Sequence, residues 1–173
     1  MRQASDRSRA PAALEPLLAE HWPEVRAIYE EGLAGGHASF ETTAPEWPEW
    51  DAAHLRHSRL VARDGEAVLG WAALSPVSPR AVYAGVAEVS VYVLERARGR
   101  GIGRRLLEEL IVSSEAAGIW TLQASIFPEN EASVRLHEAC GFRFLGRRER
   151  VARHHGAWRD TVLYERRSRT VGL

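Results

Sequence analysis

A chain of 173 residues with 45% hydrophobic content is long enough for one domain with its own core and leaves little room for a second. Its formal charge is zero, from 23 basic and 23 acidic side chains, which excludes the strongly basic footprint of a nucleic-acid binder. Every basic side chain is an arginine and lysine is absent, which excludes a lysine-dependent phosphate loop and any Schiff-base chemistry.

The charge is unevenly placed. Residues 1–95 carry 8 Arg against 14 Asp and Glu, and residues 96–173 carry 15 against 9. A basic second half suits a polyanionic ligand, and a solvated arginine-rich surface is the plainer account. Cys140 is the single cysteine, so no intrachain disulfide forms. It closes an apparent helix before Gly141 without an activating neighbour and reads as a buried structural thiol. No apolar run reaches bilayer length, and residues 1–13 lack the hydrophobic core of a signal peptide. The expectation is a soluble cytoplasmic protein, with a flexible segment over 1–13 and a single domain over 14–173.

In chain order, residues 14–18 are a candidate first strand. Pro23 then opens a helix whose apolar Val25, Ile28, Tyr29 and Leu33 recur at helical spacing, and Gly35-Gly36 stops it. Residues 37–48 form a loop with an aromatic beside an acid, Phe40-Glu41, and residues 49–58 a second helix. His54 and His57, three apart on that helix, have a metal-ligand spacing, but no third ligand lies near and solvated histidines are the better account. Residues 60–62 and 67–74 flank Asp64-Gly65, a hairpin signature. Residues 75–85, with two prolines, are a loop that holds Arg80 and Tyr83.

Residues 88–103, EVSVYVLERARGRGIG, carry the most chemistry. Val89, Val91 and Val93 alternate with Ser90 and Tyr92 as in a strand ending near Leu94. Arg98-Gly99-Arg100-Gly101-Ile102-Gly103 follows, leading directly into an amphipathic helix marked by Ile102, Leu106, Leu107, Leu110 and Ile111. Glycines let backbone N–H groups approach a ligand, and a helix N-terminus adds positive dipole, so the combination binds phosphate. Its spacing fits neither G-x-G-x-x-G nor G-x-x-x-x-G-K-[ST].

That helix is expected over 102–117, an apolar strand over 119–126, and a further helix opened by residues 128–133 with Asn130 as N-cap. Residues 142–148 and 158–164 read as closing strands joined through residues 153–157, where adjacent His154 and His155 should face opposite ways if extended. The order is strand, two helices, a four-strand meander with a loop, helix, strand, helix and two strands. That order gives a mixed α/β sheet.

Arg98 to Gly103 fits the pattern [Q/R]-x-x-G-x-[G/A] and resembles the pyrophosphate loop of the GNAT superfamily of N-acetyltransferases, which bind acetyl-CoA. Phe40-Glu41, the Glu88-x-Ser90-Val91-Tyr92-Val93 strand, Asn130 with Ser133, and His155-Gly156-x-Trp158-x-Asp160 together resemble its phosphinothricin acetyltransferase branch, over nearly the whole chain after Leu14. The resemblance implies a GNAT-type mixed, mostly antiparallel sheet flanked by helices and splayed open between the strand at 88–94 and the strand at 119–126. It implies cofactor contacts from Val91, Tyr92 and Val93, from Arg98, Gly99, Arg100, Gly101, Ile102 and Gly103, and from Asn130 and Ser133. It implies an acceptor pocket bordered by Phe40, Glu41, Arg80, Tyr83, Glu88 and Val89, with His155 alongside. His137 stands where many members of the wider superfamily place a tyrosine general acid, and the phosphinothricin branch resembles this chain in having histidine there. No metal is implied, and relatives of this kind are commonly homodimers; Trp47, Trp50 and the C-terminal strand offer material for an interface.

Acetyl transfer from a thioester to an amine needs a neutral amine, a stabilised oxyanion and a route for proton return. Glu88 is the expected base, with His137 and His155 as candidates for proton transfer. Backbone N–H groups around Val91 to Val93 are expected to meet the oxyanion, which calls for a bulge there. The expected acceptor is the α-amino group of a small amino acid or analogue: phosphinothricin, methionine sulfoximine or methionine sulfone. Arg80 suits bidentate capture of its carboxylate or phosphinate. The alternatives are another amine, such as a protein N-terminus or a polyamine whose site should be lined with acids, and a non-catalytic acyl-CoA-binding sensor, which loss of the base would favour. No nucleic-acid or membrane partner is expected.

Overall fold

The computed structural model describes residues 11–173, so most of the segment expected to be flexible lies outside the described residues. Within them, Ala12 is buried and Ala13 already opens the first strand. The elements run β1 (Ala13–Pro16), α1 (Trp22–Ala34), α2 (Trp47–Ala53), β2 (Leu60–Asp64), β3 (Ala67–Pro76), β4 (Val86–Val93), α3 (Ile102–Ala116), β5 (Thr121–Ile126), α4 (Glu131–Ala139), β6 (Arg143–His154) and β7 (Ala157–Arg167). The strands form one open sheet in the order β1-β2-β3-β4-β5-β7-β6. Every neighbouring pair is antiparallel except β4 with β5. The expected mixed, mostly antiparallel α/β class is the class observed.

Several boundaries differ, each for a local reason. Three strands, not four, lie between α2 and α3; the fourth antiparallel neighbour is β1, which pairs with β2 from across the two helices. The β2–β3 turn falls on Gly65-Glu66, one residue later than expected, because Asp64 pairs with Ala67 and Gly65 supplies the left-handed φ of 62°. Helix α2 starts at Trp47 because Pro48 is tolerated in a first turn, where the Glu49 carboxylate accepts from Glu46 N at 3.3 Å. Strands β6 and β7 run on to a two-residue turn at His155-Gly156, where a looser connection was expected.

Two hydrophobic clusters pack on the sheet. One joins Leu106, Leu107 and Leu110 of α3 to Leu74, Ala87 and Leu122. The other gathers Trp22, Val25 and Ile28 of α1 with Trp50 of α2 and Trp71 of β3. Strand β3 serves both, with Ala72 and Leu74 on one side and Trp71 and Ala73 on the other, which is why its sequence is apolar throughout. Each leucine of α3 is fully buried, a contribution of about 1.5–3 kcal/mol apiece, so this helix is firmly fixed against the sheet.

The feature that positions the site is the brevity of the β4–β5 pairing. It covers only Val86↔Thr121, Ala87↔Leu122 and Glu88↔Gln123. Beyond it, β4 continues with β3 to Val93 while β5 continues with β7 to Ile126, and the two part. The start of the pairing is fastened by the Gly85 carbonyl, which accepts from Trp120 N at 2.8 Å and Thr121 N at 3.0 Å. A Cβ on Gly85 would lie 2.0 Å from the Trp120 ring, so only glycine admits this approach. Gly85→Ala is therefore expected to lower stability by about 1–3 kcal/mol through overpacking, read as a fall in the denaturant midpoint with altered Trp120 fluorescence; an unchanged midpoint would contradict it.

Candidate active site

A cleft of about 1380 Å³ opens where β4 leaves β5. Leu94 N donates to Leu69 O and Val77 N donates to Val86 O across β3–β4. In an antiparallel ladder the residues alternate, so Glu88, Ser90 and Tyr92 turn their backbone toward β3 while Val89, Val91 and Val93 turn theirs toward β5. Past Glu88 there is no β5 opposite, which leaves the Val91 and Val93 amides facing the cleft. The Val93 carbonyl points the same way, accepting from Arg98 Nε at 3.4 Å. No bulge achieves this: the β3–β4 register runs without a shift from Gly70↔Val93 to Pro76↔Ala87. Splaying frees the amides where a bulge was expected to.

The glycine-rich loop closes one end of the cleft. Gly99 and Gly101 both take φ near 75°, a conformation that presents successive amides outward and that other residues resist. Gly101 precedes Ile102 without any side-chain cap, so the first amides of α3 are open to the cleft. Arg98 and Arg104 line it too, while Arg100 turns away toward Asp64, 3.5 Å from its carboxylate, and is not part of the wall. Open amides, a helix N-terminus and two guanidinium groups are the donor set a pyrophosphate requires.

Helix α4 forms the second wall. Asn130 caps it, its Oδ1 accepting from Ser133 N at 3.2 Å, and its Nδ2 donates to His37 O at 3.1 Å. One side chain thus ties this wall to the 37–45 loop. His137 is buried against Phe142, and its Nδ1 lies 2.8 Å from Ser133 O. That bond fixes the Nδ1–H tautomer and leaves a lone pair on Nε2, which has no partner among the described residues. Burial holds the His137 pKa below the ordinary histidine value. In the resting cleft His137 is therefore a hydrogen-bond acceptor at Nε2, not a proton donor.

At the other end, Glu88 is half-buried and lines the cleft with Val89, Phe40 and Glu41. Its carboxylate makes no hydrogen bond or ion pair among the described residues. Tyr92 stacks on Trp71 at 4.8 Å, and burial raises its pKa far above the ordinary tyrosine value, so it stays a neutral packing ring. Phe40 meets Phe127 edge-on at 4.8 Å. Arg159 lies over Phe127 at 4.1 Å and donates to Gly36 O at 3.2 Å, His37 Nδ1 at 3.1 Å and Glu129 at 3.3 Å, fastening the loop that carries Phe40.

Other expected residues stand elsewhere. Arg80 and Tyr83 are exposed, stacked on each other at 5.5 Å outside the cleft wall. His155 sits exposed at the tip of the β6–β7 turn with φ 48°, and that left-handed turn brings its ring within 4.0 Å of His154 instead of sending it to the opposite face. His154 is the buried one, 5% exposed, stacked on Phe127 at 5.9 Å, with both ring nitrogens unpartnered among the described residues. His54 is held by Trp50 O at 2.7 Å and His57 by Ser58 Oγ at 2.9 Å. No group of three or more His, Cys, Asp or Glu that could hold a metal is found among the described residues. Cys140 is buried, which pushes its thiol pKa up and keeps it inert.

Phe127, His37, Arg159 and His154 were not marked by any spacing in the sequence. Their convergence depends on the β6–β7 register, which the turn at His155-Gly156 sets.

Burial lowers the pKa of His54, His137 and His154 alike. The unfolded chain then binds protons more readily than the folded one once pH falls below the ordinary value of 6.5, so stability falls with acidification. His154→Phe should keep the stack on Phe127, remove two unpartnered nitrogens and flatten this acid limb. Melting temperatures at about pH 7.5 and about pH 5.5 check it, and an acid loss as large as in the parent chain would contradict it.

The chain matches the model of the acetyltransferase (GNAT) family over residues 19–142. It is 41% identical to a phosphinothricin N-acetyltransferase of Streptomyces coelicolor, over 91% of this chain and 96% of that one. It is 33% identical to an L-methionine sulfoximine/L-methionine sulfone acetyltransferase of Pseudomonas aeruginosa, over 83% and 87%. Among solved structures, a GNAT superfamily phosphinothricin acetyltransferase from Sinorhizobium meliloti in complex with AcCoA superposes with a TM-score of 0.82 at 31% identity, over 91% of this chain and 89% of that one. No helix among the described residues is long and apolar enough to cross a membrane.

Proposed function

Since the chain belongs to the acetyltransferase (GNAT) family, and so moves acetyl from acetyl-CoA, we propose that its acceptor is the α-amino group of a small amino acid or analogue of the phosphinothricin, methionine sulfoximine or methionine sulfone kind, with Glu88 as base. Acetyl-CoA supplies an activated thioester. The open amides of the 99–104 stretch, with Arg98 and Arg104, hold its pyrophosphate, and Asn130 and Ser133 border its path along α4. The Val91 and Val93 amides donate to the acetyl oxygen as negative charge develops on it. Glu88, unpaired on the same strand, takes the proton from the acceptor's ammonium, directly or through one water. That free carboxylate beside the free amides is the observation that carries the mechanism. His137 accepts at Nε2 in the resting cleft; once that nitrogen has taken the proton released by the attacking amine, it returns it to the CoA thiolate left when the acetyl C–S bond breaks. Arg80, Tyr83, Arg100 and His155 stand outside the wall, and the mechanism uses none of them.

A second reading, a polyamine acceptor, has one observation in its favour: Glu41, Glu49, Glu88 and Glu129 all line the cleft. A sensor without turnover is disfavoured by the presence of Glu88. The setting we propose is cytoplasmic, because the co-substrate is an intracellular metabolite.

For assembly, we propose a homodimer built on the β6–β7 ribbon. β6 is an edge strand of 12 residues, and Phe144 at 54% and Trp158 at 58% exposure leave apolar surface on the ribbon. Trp50, 1% exposed, belongs to the core and supplies no interface, and Trp47 packs on Trp22 and Trp50.

Glu88→Gln should lower kcat on the preferred acceptor by about 100-fold or more while leaving acetyl-CoA affinity unchanged. CoA thiol release across phosphinothricin, methionine sulfoximine, methionine sulfone, ordinary amino acids and a polyamine measures it; unchanged turnover in the variant would remove Glu88 as base, and turnover confined to the polyamine would establish the second reading. Light scattering of the purified chain should give the mass of two copies, lost in Trp158→Glu, and the mass of one copy for the parent chain would end the dimer proposal.

A further inference from the structure

An amino-acid acceptor is a zwitterion, and its anionic group needs a cation near the base. Among the described residues, the only arginines on the cleft wall are Arg98 and Arg104, both at the glycine-rich loop, whereas the acceptor end carries Glu41, Glu88 and Glu129. Arg159 is engaged by Glu129, by Gly36 O and by the face of Phe127. Arg80 stacks on Tyr83 outside the wall.

Arg148 of β6 answers this need. Its Nε donates to Thr161 Oγ1 at 3.1 Å and its Nη2 to Ser125 Oγ at 2.9 Å. Both hydroxyls line the cleft, and Thr161 is 2% exposed. The sheet register puts all of these on the face that carries Glu88. Glu88 lies opposite Gln123, Ser125 is two residues further along the same face of β5, and Arg148 lies opposite Thr161. The Arg148 side chain reaches back across β7 to Ser125 on β5, the strand that pairs with β4 at Glu88.

The partners of Arg148 are neutral, and no carboxylate pairs with it among the described residues. Two hydroxyls therefore aim the side chain without neutralising it, leaving the Nη1–Nη2 edge free for a bidentate contact.

We propose that Arg148 binds the carboxylate of the acceptor and so selects zwitterionic amino acids over simple amines at this site. The inference rests on the amino-acid reading of the acceptor and adds the residue that enforces it. Thr161 and Ser125 position the guanidinium.

The test compares L-methionine sulfone with its carboxamide, in the parent chain, Arg148→Gln and Arg148→Lys. The parent should prefer the free acid. Arg148→Gln should lose roughly 10- to 100-fold in kcat/KM on the acid, chiefly through KM, and only a few-fold on the carboxamide, the pattern of one lost charge-assisted contact. Arg148→Lys should recover part of the preference. Equal losses on acid and carboxamide, or no loss on either, would overturn the role of Arg148 while leaving the amino-acid acceptor standing. A parent chain that turns over neither compound, nor any other amino acid, would overturn both.

Discussion

The structure depends on three residues of parallel pairing. Val86, Ala87 and Glu88 hold β4 to β5, and then each strand follows a different neighbour. A backbone amide left without a sheet partner carries an energetic penalty when shielded from water, unless something else accepts from it. Here Val91 and Val93 are in that position at the mouth of a cleft, so the divergence converts what would be a structural cost into a binding feature. The rest of the molecule keeps the strands where they are. Leu106, Leu107 and Leu110 clamp α3 to one face of β3 and β4, and the tryptophan cluster around Trp71 fixes the other. With both faces held, β4 is not free to bend over and close the gap.

Charge follows the same division. The basic second half of the sequence does not spread evenly: Arg98 and Arg104 reach the cleft at the glycine-rich loop, the proposed pyrophosphate site, while the acids that line it come largely from the first half, Glu41, Glu49 and Glu88. An ammonium would be drawn to one end and a polyphosphate to the other. Arg148 interrupts that simple polarity. A guanidinium on the Glu88 face, with no carboxylate partner among the described residues, turns an acid-lined end, which alone would suit any polyamine, into one that discriminates by a second charge.

Much of this was legible in the residues. The alternation of Val89, Ser90, Val91, Tyr92 and Val93 gave the strand, and two glycines before Ile102 gave the left-handed turn that opens α3, because both depend on local backbone preferences. Asn130 as a cap was readable for the same reason. What escaped was whatever depends on register. The bulge expected near Val91 does not occur, because the freedom of those amides comes from the path of β5, some thirty residues away in sequence. His155 belongs to the His-Gly-x-Trp motif, yet the left-handed turn it occupies makes His154 the buried member of the pair. Arg159 meets Phe127, and Arg148 reaches Thr161, only because the β6–β7 hairpin folds at His155-Gly156, and no spacing along the chain encodes which of its arginines face inward.

The most direct measurement is amide hydrogen exchange resolved along β4, with and without acetyl-CoA. An alternating pattern is expected: Ser90 and Tyr92 protected throughout by β3, and Val91 and Val93 exchanging freely until acetyl-CoA protects them. Val91 and Val93 amides already protected in the free protein, or unaffected by acetyl-CoA while the glycine-rich loop responds, would contradict the claim that the splayed strand receives the acetyl group.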